Sequence, residues 1–97
     1  MKFMVTWKLH ADKKMDAFAA FSQMTAEDDV TDHGPAIKLV GRWHDLVSGT
    51  GVAICETDDA SAVSAWLYDW SPVLDGAVTP VLDDAEARAV VAAKLAG

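Results

Sequence analysis

A chain of 97 residues has room for one domain spanning 1–97 and not for a second independent core. Eight Lys and Arg against fifteen Asp and Glu give a formal net charge of −7, which repels phosphate backbones and argues against nucleic-acid binding. The hydrophobic fraction of 52% and four Trp exceed what one small core needs, and a lone Cys55 excludes an internal disulfide, so burial against a second copy of the chain is expected.

The opening MKFMVTWKLH alternates instead of forming the continuous apolar stretch of a signal peptide. No run approaches membrane-spanning length, so retention in the cytoplasm is the expectation, and a reduced Cys55 agrees with it. The same alternation predicts a strand over 2–9, with Phe3, Val5, Trp7 and Leu9 on one face and Met4, Thr6 and Lys8 on the other. Asp12 is placed to cap a helix whose stripe is Met15, Phe18, Ala19 and Ser22, widened by Phe21. The acidic segment from Thr25 to Pro35 reads as a loop. Its Asp28, Asp29, Asp32 and His33 suit a hard cation by type, but the spacing fits no EF-hand register, so a solvated acidic loop is the simpler reading.

Residues 36–44 alternate again, with Ile37, Leu39 and Trp43 on one side and Lys38, Val40, Arg42 and His44 on the other. Gly41 signals a bulge or a close backbone approach. Residues 45–51 turn the chain into a third strand over 52–56. A second helix, capped from Thr57, Asp58 or Asp59 and ended by Pro72, carries the stripe Val63, Trp66, Leu67 and Trp70. Residues 73–82 form a fourth strand that Gly76 and Pro80 confine to an edge or a bulge. Asp83 with Glu86 starts a closing helix with a capping box. The order is βαββαβα: an α+β, ferredoxin-like arrangement of a four-stranded antiparallel sheet, two covering helices and an added C-terminal helix. Two helices cover one sheet face, and the other, assigned Met4, Val40, Ala53 and Cys55, is expected to meet a second sheet in a homodimer.

Together with this order, the phrases GRWHD (41–45), GVAICETDDA (51–60), WLYDW (66–70) and TPVLDDAEA (79–87) resemble an uncharacterised bacterial family of the dimeric α/β-barrel superfamily, carried as a domain of unknown function. The resemblance runs from Lys2 to about Ala87 and implies the fold and a dimer, but no activity. Other branches of that superfamily include cofactor-free monooxygenases, haem-degrading enzymes and lactone isomerases, with pockets between helices and sheet; fold does not choose among them.

No residue pattern implies a cofactor or a metal. His10, His33 and His44 are scattered, with none of the paired spacing of a zinc site. Cys55 reads as a small buried hydrophobe. Trp7, Trp66 and Trp70 serve equally as core or as the wall of a pocket for a flat apolar ligand. Arg42 and His44 share a strand face, expected to be that of Thr6 and Lys8; they are either a structural pair and an exposed imidazole, or ligand contacts. The ligand-binding candidates are therefore Trp7, Arg42, His44, Trp66 and Trp70. Three functions remain open: binding of a small apolar or aromatic molecule with an anionic or carbonyl end; cofactor-independent oxygenase or isomerase chemistry with His44 as general base and Arg42 stabilising an enolate or carboxylate; and a structural interaction module.

Overall fold

The computed structural model describes residues 1–97, with elements in the order β1 (Lys2–Leu9), α1 (Lys14–Ser22), α2 (Ala26–His33), β2 (Lys38–Asp45), β3 (Thr50–Glu56), α3 (Ala60–Trp70), β4 (Leu74–Val81) and α4 (Asp84–Ala96). The four strands form one antiparallel sheet ordered β2-β3-β1-β4. This is the ferredoxin-like α+β fold, and β4 with its Pro80 stands at an edge, where a missing ladder donor is tolerated.

The 25–35 segment is not a loop. Thr25 accepts from the Asp28 amide while the Asp28 carboxylate accepts from the Thr25 amide, a capping box that starts α2, and Gly34 at φ 84 stops it. The acidic residues that resemble a solvated loop are first-turn acids, favourable at the positive end of the helix dipole. α1 also differs from expectation. Lys13, not Asp12, occupies its N-cap and makes no side-chain cap bond. Its inner face runs through Lys14, Ala17, Phe18 and Phe21, whereas Met15 is 76% exposed.

The β1 register fixes the sheet faces. Phe3, Val5 and Trp7 stand opposite Cys55, Ala53 and Gly51 of β3, so these residues share the helix-covered face. Ala53 and Cys55 are therefore core, each 0% exposed, and not on the open face. Their small side chains leave depth for Val63 and Trp66 of α3, which pack over them with Phe3, Val5 and Ile37. Burial pushes the Cys55 thiol up, out of nucleophile range.

On β2 the alternation is broken once. Leu39 pairs with Cys55 and Gly41 with Ile54, which leaves Val40 as an extra, unpaired residue. This bulge resets the phase. Leu39 faces the core, Val40 is exposed, and Arg42 and His44 turn inward opposite Ala53 and Gly51, not outward with Thr6 and Lys8. Trp43 is correspondingly on the outer face, 59% exposed and lying across Gly41. The outer face thus carries Met4, Trp43, Val52 and Ile54, none of them buried.

Asp83 caps α4 in the expected box with Glu86, and Lys2 reaches both carboxylates at 3.3 and 3.4 Å. The rest of α4 buries nothing. The chain accordingly extends 52 × 28 × 19 Å, with a radius of gyration of 15.6 Å against roughly 13 Å for a compact domain of this size.

Candidate functional site

Trp7 has a glycine opposite it on both neighbouring strands, Gly51 on β3 and Gly76 on β4. A β-carbon at Gly51 would run into the Trp7 ring, and one at Gly76 would come within 2.8 Å of Leu67. The glycines let the indole lie across the sheet and keep the space above it open. The result is a cavity of about 70 Å³ between the sheet and the helices. Its floor is Val5, Trp7, Leu9, Arg42, His44 and Leu74; α1 contributes Ala17, Phe18 and Phe21, α3 contributes Trp66, Leu67 and Trp70, and α2 contributes Asp32. All five residues singled out from the sequence, Trp7, Arg42, His44, Trp66 and Trp70, line this one cavity.

Its polar groups are few and distinct. Arg42 donates from one terminal nitrogen to Asp29 at 3.1 Å and lies 4.9 Å from the centre of the Phe21 ring, with the rest of its donor fork not bonded to protein. His44 makes no protein hydrogen bond; its ring centre is 4.7 Å from that of Phe21 and 5.7 Å, edge-on, from that of Trp7. Burial in this aromatic setting holds the imidazole below the ordinary histidine range, and the Arg42 charge adds to the effect.

Asp32 is a cavity residue that the sequence places only in a solvated acidic stretch. Its carboxylate accepts from the Trp66 indole at 2.8 Å and from the Trp70 indole at 2.8 and 3.1 Å. Trp66 and Trp70 lie one turn apart, so both N–H groups reach a single acceptor. Its signal in the sequence is that two indoles on one stripe need an acceptor from a neighbouring element, which α2 supplies.

His10 pairs with Asp75 at 3.2 Å, and His33 Nδ1 lies 2.7 Å from the Gly34 carbonyl oxygen. No three His, Cys, Asp or Glu residues come together as metal ligands, and no helix is long and apolar enough to cross a membrane.

The depressed His44 gives a pH expectation. Below about pH 6.5 the unfolded chain takes up a proton on this imidazole that the folded chain refuses, so the His44 contribution to stability falls with falling pH until the folded form also titrates. Urea denaturation at several pH values should show a shallower acid loss in His44→Gln than in the native protein. Parallel profiles would mean that the imidazole titrates as in water.

Fold and cavity together define a ferredoxin-like domain with an aromatic pocket between its sheet and its helices. The chain belongs to the family described as Domain of unknown function (DUF3303), whose model matches residues 1–95. Among curated proteins none matches it by sequence. Among solved structures it is similar to the crystal structure of an L-rhamnose mutarotase from Formosa agariphila, with 12% identity, a TM-score of 0.45, and coverage of 86% of this chain and 94% of that one. A likeness that distant says nothing of what this chain binds.

Proposed function

We propose that this domain binds a small, flat, apolar or aromatic molecule in the cavity over Trp7, with a carboxylate or carbonyl end received by Arg42. The observation that carries this reading is the Arg42 guanidinium, turned by the Val40 bulge into a cavity lined mainly by apolar and aromatic side chains and left with donors that no protein group uses. A guanidinium fork suits a planar oxygen pair, and its contact with Phe21 holds it in orientation. Tryptophan fluorescence tests this directly, because Trp7, Trp66 and Trp70 all line the cavity. Small aromatic carboxylates should quench or shift the emission of the native protein, and Arg42→Met should weaken them by about tenfold, the worth of one charge-assisted hydrogen bond. Equal binding to both proteins would make Arg42 structural.

A second reading is favoured by one feature. A neutral imidazole without a protein partner, two residues from a guanidinium on the same strand face, is equipped to move a proton next to a carbonyl.

We further propose that the domain is a homodimer joined through the outer sheet face. Only 12 of its 97 residues are buried, a small core, while Met4, Trp43, Val52 and Ile54 form an apolar surface that no helix buries. Light scattering at micromolar concentration should return twice the chain mass, and Trp43→Glu should return the monomer. A monomeric native protein would overturn this assembly.

A further inference from the structure

We infer that the ligand of this cavity also carries a cationic nitrogen, received by Asp32. This inference rests on the reading of the cavity as a ligand site and names the class of molecule it takes: an amine attached to a small aromatic or apolar group.

The argument begins with charge. Arg42 already has a carboxylate partner in Asp29, and His44 is held neutral, but Asp32 has no cationic partner within ion-pair distance. The charges around the cavity therefore leave one negative unit unmatched. Its two indole donors do not remove it, since they are dipoles; satisfying two N–H groups requires only an acceptor, which a neutral amide oxygen provides at less desolvation cost. A full carboxylate facing an apolar, aromatic cavity is more than that structural task needs. With roughly four lone-pair sites on a carboxylate and three indole contacts spread over them, an acceptor position remains for a ligand donor.

Two further features act in the same direction. The cavity lining includes Trp7, Trp66 and Trp70, and indole rings attract a cation once it is out of water. The net charge of −7 draws cations toward the protein at long range and opposes a ligand that is only an anion. An ammonium at Asp32 and an oxygen end at Arg42 are compatible in one molecule, so the best occupant is an aromatic amine that also carries a carboxylate or carbonyl.

The test uses the full chain and three probes of matched shape, titrated by calorimetry: 3-phenylpropionate, phenethylamine and phenylalanine. Phenethylamine should bind about tenfold more tightly than 3-phenylpropionate, and phenylalanine at least as tightly as phenethylamine. Asp32→Asn, which keeps an acceptor for the indoles, should remove the preference for the amine by weakening phenethylamine, while 3-phenylpropionate, relieved of the carboxylate's repulsion, binds no more weakly than to the native protein. If that variant does not fold, the order of the three probes on the native protein decides. Binding of 3-phenylpropionate as tightly as phenethylamine, or an amine preference that survives in folded Asp32→Asn, overturns the inference while leaving Arg42 and the cavity as proposed. Binding of none of the three overturns the ligand site itself, and this inference with it.

Discussion

Trp66→Ala should destabilise the domain by about 3–5 kcal/mol, the usual cost of removing a large buried aromatic. Trp66 is 6% exposed and packs in one cluster with Phe3, Val5, Ile37, Ala53, Cys55 and Val63. The strand residues of this cluster are held in place by the sheet ladder, so the surroundings have little means of collapsing into the space. The truncation also removes one of the indole donors to Asp32. Chemical denaturation of the two proteins measures the difference. Trp66→Phe, which keeps most of the packing and loses only the N–H, should cost clearly less and so separate the cavity from the hydrogen bond. A loss under about 1 kcal/mol in Trp66→Ala would mean that this ring is not core.

Asp32→Ala should cost about 2–4 kcal/mol, because it leaves the Trp66 and Trp70 indole N–H groups without their acceptor in a half-buried setting. The effect should be local as well as global. α2 buries no residue of its own, so its attachment depends on a few side-chain contacts: Asp32 to the α3 indoles, His33 edge-on to Trp66 with ring centres 5.8 Å apart, and Asp29 to Arg42. Amide hydrogen exchange in α2 should therefore accelerate in Asp32→Ala well beyond what the loss of global stability accounts for. Adding Trp66→Phe and Trp70→Phe to Asp32→Ala should cost little more in hydrogen bonding, the non-additivity expected of one connected group. A loss within about 0.5 kcal/mol, as at an ordinary surface site, would show that water replaces the carboxylate without penalty.

The two approaches to the second strand show where local reasoning stops. Gly41 signals a bulge in the sequence, yet strict alternation across it sends Arg42 and His44 to the face of Thr6 and Lys8. One unpaired residue, Val40, reverses every side chain that follows it on the strand. The pairing partners that reveal this reversal, Ala53 and Gly51, lie on another strand. In β3 the same limit applies differently. Val52 and Ile54 are larger and more apolar than Ala53 and Cys55, so side-chain character alone points the wrong face inward. The space required by Trp66 and Val63 of α3 decides for the small residues.

Short-range periodicity and capping chemistry make several features legible in the chain before any packing is known. They include β1 with its two faces, the α3 stripe of Val63, Trp66, Leu67 and Trp70, the confinement of the strand bearing Pro80 to an edge or a bulge, the Asp83–Glu86 box, and from their order the ferredoxin-like frame. The sequence also supplied the residue types of the cavity, because Trp, Arg and His are conspicuous in so small a chain. Packing between elements set where α2 docks, that Asp32 joins Trp66 to Trp70 across 34 and 38 residues of chain, and that Arg42 and His44 share a cavity with the indoles. The reason is physical: periodicity is a property of neighbours in sequence, whereas the direction of a side chain beyond a bulge and the partner of a buried N–H are fixed by the elements packed against them.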